Sequence, residues 1–177
     1  MKVYEESILH KESFWRREKN RIHWFTEPKS ILTKVDPYHY QWYKGGILNT
    51  SYLAIDYHIE KGRGEQTAII YDSPVTGEKT TYTYNQLLKE VSLLAGVLEK
   101  HGIEKGDRVL IYMPMIPQVV FAMLACARIG AIHSVVFGGF APHELAIRID
   151  DASPKVILAA SGAKEVDKII PYKPILD

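Results

Sequence analysis

Asp107-Arg108-Val109-Leu110-Ile111-Tyr112 is the stretch on which the fold of this chain turns. It follows the turn residues Glu104-Lys105-Gly106 and carries four consecutive bulky side chains with no polar alternation. A run of that texture suits a strand covered on both faces, as in parallel sheets. Downstream, the nearly all-apolar segment Ile116–Ile129 has helical length and stops at Gly130, a residue suited to a left-handed helix end. Ile132–Phe137 reads as a second strand. Pro142 opens a further helix at a favoured first-turn position, with Leu145, Ile147 and Ile149 expected inside. Lys155–Ala160 is a third strand. Strand–helix–strand–helix–strand in this order predicts an α/β fold with a parallel, doubly wound sheet. Three strands are few for such a sheet, so the chain is expected to be a piece of a longer enzyme.

Upstream, Thr67–Asp72 and Glu78–Tyr84 read as a hairpin around Ser73-Pro74-Val75-Thr76-Gly77. Thr83 and Gln86 have capping-box spacing. Leu87, Leu88, Val91, Leu94, Ala95 and Leu98 then recur on one helical face, and Gly102 closes the helix. The first 60 residues differ in texture. They hold 11 of the chain's 19 Phe, Trp and Tyr residues, including all three tryptophans, and their periodicity is poor. Such rings are expected to pin a segment onto a neighbouring core; a stacking platform for bases would need a basic background that is missing. Lys11–Arg21 predicts one short helix. Asn49 or Ser51 is expected to cap another that runs to about Lys61 and stops at Gly62-Arg63-Gly64. The organisational boundary is placed there: residues 1–64 form an aromatic-rich N-terminal extension, and residues 65–177 an α/β subdomain.

Composition narrows the classes of function. The 177 residues suffice for one ordinary domain. With 22 Lys and Arg against 21 Asp and Glu, the net charge of +1 leaves no electrostatic footprint for nucleic acid or an anionic membrane. The single cysteine, Cys126, excludes an intramolecular disulfide and fits a reducing compartment. No run approaches the roughly 18 apolar residues of a membrane span. Residues 1–6 lack the apolar core of a secretory signal. The expectation is a soluble, cytoplasmic chain with neither nucleic-acid nor membrane partners. A mitochondrial matrix address is the alternative for a eukaryotic source, although no transit peptide is seen.

The feature closest to chemistry is Val135-Val136-Phe137-Gly138-Gly139-Phe140 before the Pro142 helix. A strand ending in glycines before a helix start is where doubly wound folds bind ligands. It is neither the three-glycine dinucleotide fingerprint nor a P-loop, and a bare turn with glycine at positive φ accounts for it as well. The seven histidines are scattered, and His133 inside an apolar strand reads as a core residue. Cys126 reads as a small buried hydrophobe without a base partner. Asp150 and Asp151 read as solvated surface. Lys164, Lys168 and Lys173 have a solvated face as their default reading and phosphate contact as the alternative. No catalytic residue and no metal site is assigned.

Longer stretches resemble a known family. Residues 42–52 (WYKGGILNTSY) and 55–58 (IDYH), Gly106-Asp107-Arg108-Val109, Tyr112-Met113-Pro114-Met115-Ile116-Pro117, and above all residues 122–140 (AMLACARIGAIHSVVFGGF) are similar to the N-terminal part of acetyl- and propionyl-CoA synthetases. The resemblance covers nearly the whole chain. Residues 71–77 (YDSPVTG) and 171–174 (PYKP) look more like the propionate branch. The resemblance implies an adenylate-forming short-chain acyl-CoA synthetase. Such enzymes join a carboxylate to ATP with Mg²⁺, release pyrophosphate, and pass the acyl group to the thiol of CoA. The family's phosphate loop, ribose-binding aspartate and catalytic lysine match no stretch of these residues, so this chain by itself is expected to be inactive. What it is expected to keep is part of the CoA site. In similar enzymes Phe137, Gly138, Gly139, Ile170 and Pro171 lie against the CoA adenine. Two arginines three apart, which hold the CoA phosphate, align with Glu165 and Lys168. Glu165 reverses the charge at the first position, a change shared with the propionate branch; Lys168 keeps the charge but loses the guanidinium fork.

The resemblance makes the glycine turn a ligand wall rather than a bare turn. The implied substrates are propionate or acetate, ATP and CoA, and the implied partner is the remainder of the same enzyme. Three competitors stand beside the propionate reading. One is an acetate ligase. Another is a nicotinamide-binding domain, disfavoured by the missing fingerprint. The third is a non-catalytic nucleotide-binding or interaction module, self-associating through apolar surface.

Overall fold

The computed structural model of the chain describes residues 2–138 and 142–177; the backbone of Phe137 is described but not its side chain. It divides into two compact units, Met1–Asn49 and Thr50–Asp177.

The first unit begins with two short helices, α1 (Lys2–Leu9) and α2 (Lys11–Glu18), the second continued by a 3₁₀ turn at Lys19–Arg21. Only α2 and its continuation were expected; α1 buries no side chain and so carries no apolar periodicity to read. Arg17 on α2 forms a bidentate pair with Glu6 on α1 at 2.6 and 3.2 Å. A small antiparallel pair follows, β1 (Leu32–Lys34) with β2 (Tyr40–Trp42). The rings pack on one another: Trp15 meets Phe14 and Trp42 edge-on at 5.1 and 5.6 Å, and Tyr43 lies against Trp24 at 5.3 Å. Phe14 and Ile31 are buried, while Tyr4 and Tyr38 are exposed. Part of the aromatic set thus builds a local core for a segment with little regular structure.

The second unit starts with α3 (Thr50–Ala54) and α4 (Asp56–His58), then a π turn at Ile59–Arg63. The single helix expected over this stretch is broken at Ile55, which leaves helical geometry and is wholly buried. Nor does Ser51 act as a cap: its buried hydroxyl has no hydrogen-bond partner among the described residues. Asp56 accepts two hydrogen bonds from Arg128 at 2.8 and 2.9 Å, a forked pair in the geometry that guanidinium and carboxylate favour.

The hairpin β3 (Thr67–Asp72) and β4 (Lys79–Thr83) forms as expected. It leads into α5 (Tyr84–Lys100), whose capping box is complete: Thr83 Oγ1 accepts from the Gln86 backbone N–H, and Gln86 Oε1 accepts from that of Thr83. Leu87, Val91, Ala95 and Leu98 are its buried face. Next come β5 (Arg108–Met113), α6 (Pro117–Ile129), β6 (Ile132–Phe137), α7 (Pro142–Ala152) and β7 (Val156–Ala159). Gly130 ends α6 at φ +77°, where a side chain would be strained.

β5, β6 and β7 form one parallel sheet in the order β6-β5-β7. The centre is β5, with Val109, Leu110, Ile111 and Tyr112 all fully buried. Alternate residues serve opposite layers. Val109 and Ile111 pack with α5 and α6, Leu110 and Tyr112 with Leu145 of α7 and with Tyr172. Cover on both faces holds for β5 only; at the sheet edge, Ile132 and Val135 of β6 stay about half exposed. Ile147 is also half exposed rather than inside. Two residues along a helix is a turn of about 200°, which sets it opposite Leu145.

Beyond β7 the sequence reading had no elements. The chain forms a second antiparallel hairpin, β8 (Gly162–Glu165) with β9 (Lys168–Pro171), and a final turn of helix, α8 (Lys173–Leu176). Among the described residues the architecture is mixed α/β, with a small parallel sheet and three separate antiparallel pairs. At the base of the sheet, Asp107 accepts from Lys155 at 2.6 Å and from the Glu104 N–H at 2.8 Å, which holds its carboxyl below the usual range. Thr83→Ala should destabilise the chain by about 1 kcal/mol through loss of the α5 cap. Urea unfolding followed by circular dichroism measures it, and an unchanged midpoint would show that the cap is dispensable.

Candidate functional site

The three parallel strands end on one edge of the sheet: β5 at Met113-Pro114, β6 at Gly138, and β7 at Ala160-Ser161. Ligands of open α/β sheets bind at such carboxyl ends, beside strands whose connections depart in opposite directions. Two hollows open there. One, of about 410 Å³, is walled by Met113, Val135, Gly138, Lys164, Glu165 and Tyr172. The other, of about 570 Å³, lies between the β5 and β7 ends and the β3–β4 turn, with Ser73, Thr76, Met115 and Ser161 in its lining. Lys164 borders both.

Gly138 is glycine for a reason other than turn geometry. Its φ lies outside the left-handed region, so the positive-φ turn weighed above does not describe it. Instead, a Cβ here would overlap the Tyr172 hydroxyl and stand 3.0 Å from that ring and 3.2 Å from the Met113 carbonyl oxygen. The Tyr172 ring is buried and leans on Tyr112, centroids 4.5 Å apart at 32°. The Tyr112 hydroxyl makes a long hydrogen bond, 3.4 Å, to the Gly138 carbonyl. Burial pushes both phenols above their usual range, in Tyr172 with added effect from Tyr112 and Glu165.

The residues singled out from sequence separate into groups. Gly138 and Glu165 share the wall of the first hollow. Lys168 is across the β8–β9 turn from Glu165, Nζ to Oε2 3.3 Å, both side chains more than half exposed. Ile170 pairs with Ala163 and packs under the Leu110–Tyr112 layer, and Pro171 pairs with Gly162 and is exposed. Phe137 aligns with Met113 in the sheet. Gly139 lies outside the described residues. One contributor was missed, Tyr172 as a wall residue, and Lys164, read from sequence as solvated surface with phosphate contact as the alternative, lines both hollows. The signal for Tyr172 was its place next to Ile170-Pro171. His133 is half-buried in β6.

The arrangement combines a close-packed glycine at the strand end, a hollow open to solvent, and ammonium groups from one hairpin. Among the described residues no three of His, Cys, Asp and Glu gather where they could hold a metal ion. The described residues thus offer no such set of side chains for Mg²⁺. Also among the described residues, no helix is long and apolar enough to cross a membrane.

Comparison with known proteins gives the family. A family model described as AMP-binding enzyme matches residues 57–176, and one described as the acetyl-coenzyme A synthetase N-terminus matches residues 1–54. The chain belongs to the AMP-binding enzyme family. It is 53% identical over 177 residues to an uncharacterized protein of Pseudomonas aeruginosa, covering 100% of this chain and 28% of that protein. Over 175 residues it is 50% identical to the human mitochondrial acyl-CoA synthetase short-chain family member 3, covering 98% of this chain and 25% of that one. With the acetyl-coenzyme A synthetase of Rubrobacter xylanophilus it shares 46% identity over 171 residues, 97% of this chain and 26% of that enzyme. The chain thus spans about a quarter of the length of these relatives.

Cys126, inside the α6 face, has no access to the hollow's chemistry: it is fully buried and its thiol is pushed up to about 11. The folded chain should resist a thiol reagent at about pH 7.5 and react with one equivalent once unfolded, because thiolate and access are both required. Rapid labelling without denaturant, read by absorbance, would contradict the burial.

Proposed function

We propose that this chain is the N-terminal part of a propionate–CoA ligase, which makes propionyl-CoA, AMP and pyrophosphate from propionate, ATP and CoA through an acyl-adenylate. Residues 1–64 are read as the extension and residues 65–177 as the opening, doubly wound subdomain of the adenylating domain. The observation that carries the reading is the hollow where Gly138 and Glu165 meet, with Lys168 beside them. These are positions that the family resemblance assigned to the CoA nucleotide. Phe137, Gly139, Ile170 and Pro171 belong to the same proposed wall.

In this reading the chain contributes binding rather than bond making. In the complete enzyme the carboxylate would attack the α-phosphorus of ATP, with pyrophosphate leaving as the acyl-adenylate forms, on residues outside these 177. Gly138 lets the Tyr172 phenol close-pack against the end of β6, where a Cβ would collide with it, and so shapes the wall that the ligand meets. Lys168 supplies a charge to a phosphate. Its ion pair with Glu165 is exposed, and such pairs are worth only about 0–1 kcal/mol, so the ammonium can exchange partners. The enzyme is read as cytoplasmic, or as residing in an equivalent reducing compartment, a reading that the lone cysteine of this chain fits. An acetate–CoA ligase is the second reading, supported by the Rubrobacter xylanophilus likeness; competition between the two acids in the complete protein separates them.

Two outcomes are expected. The 177-residue chain alone should release no pyrophosphate from ATP, propionate and Mg²⁺, and a robust release dependent on purified chain would overturn the division of labour. In the complete protein, Lys168→Glu should raise the KM for CoA about tenfold, the scale of one charge-assisted contact at about 1.5 kcal/mol, while the KM for propionate stays put. Equal CoA constants in parent and variant would remove Lys168 from the site.

A further inference from the structure

The side chain that most shapes the hollow, Tyr172, is one to which the family resemblance gave no role. Tyr172 meets both ends of the sheet edge. Its backbone N–H donates to the Ser161 carbonyl at 3.0 Å, fixing it to the chain just after β7. Its ring reaches the end of β6 and fills the volume where a side chain at position 138 would stand. It leans on Tyr112 of β5. One buried residue therefore touches the segments that end all three parallel strands. It also directly follows β9, the strand that begins with Lys168 and whose hairpin partner ends with Glu165.

We propose that Tyr172 is a positioning residue for the CoA wall: by packing its phenol against the Cα of Gly138 it sets the spacing between the β6 end and the β8–β9 hairpin. This rests on the proposed function for what the hollow holds. Tyr172 touches no reacting atom in this role. It acts through Gly138 and through the hairpin, and neither can shift without the other because a close-packed contact has little slack. The contact also makes the two residues a matched pair. A methyl at 138 collides first with the hydroxyl, and next with a ring carbon at 3.0 Å. Removing the hydroxyl relieves most of the conflict.

The test is a double-mutant cycle in the complete protein that carries this chain, with Gly138→Ala, Tyr172→Phe and both together. Each is assayed for the KM of CoA, for pyrophosphate release in the acyl-adenylate step, and for melting temperature. Gly138→Ala should raise the KM for CoA by about tenfold or more, since small misplacements at a site are costly. Pyrophosphate release should stay within about twofold, because the adenylating groups lie elsewhere. Tyr172→Phe alone should be mild, and the double variant should recover to near Tyr172→Phe, a coupling expected of residues in contact. Should Gly138→Ala fail to fold, Tyr172→Leu supplies the reading: a raised KM for CoA with pyrophosphate release preserved supports the role. Multiplicative effects on the CoA constant, or coupling confined to melting temperature, would overturn it and leave Tyr172 purely structural. A parent protein without CoA-dependent turnover would overturn the proposed function and this role together, which distinguishes the two failures.

Discussion

Burial of β5 on both faces is the constraint from which the rest of the second unit follows. Four successive side chains, Val109 to Tyr112, are withdrawn from water. A strand in that position cannot leave its own N–H and C=O groups unpaired, so it takes β6 along one edge and β7 along the other. Its two faces then need separate apolar covers. Helices α5 and α6 supply one, and α7 with the terminal hairpin supplies the other. Because the strands run parallel, their carboxyl ends collect on a single edge, and that edge is where the hollows lie.

The hollow owes its form to dense packing more than to charge. Its lining cation, Lys164, and the neighbouring Lys168, paired with Glu165, sit on a solvent-facing hairpin, where screening weakens fixed electrostatics. The firm part is the buried contact of Tyr112, Tyr172 and Gly138. This turns the role of Gly138 from backbone freedom to absence of a side chain. It also gives the segment joining β9 to α8, where Tyr172 lies, a part in shaping the carboxyl end of the sheet.

Much of this was legible before any coordinates. The parallel strands, the hairpin before α5, its capping box and the glycine after α6 are each written in a few adjacent residues whose chemistry admits little else. Other elements were not. The helix break at Ile55 follows from burying that residue and from the Arg128 pair with Asp56, 72 positions away. Helix α1 has no buried face to announce it. The β8–β9 hairpin turns through Val166-Asp167, which lacks the glycine or asparagine signature of a tight hairpin. Ile147 was placed inside because it is apolar, whereas helical angle sends it outward.

The sequence by itself determined the order and type of the main elements, the polarity of the sheet and the family resemblance, since these rest on local periodicity, end signals and long runs of matching residues. Only the tertiary structure decided that Glu165 stands in one wall with Gly138, and that Tyr172 is the residue against which that glycine packs. Those relations join positions tens of residues apart, and no local pattern encodes the distance at which two segments come to rest once their side chains fill the space between them.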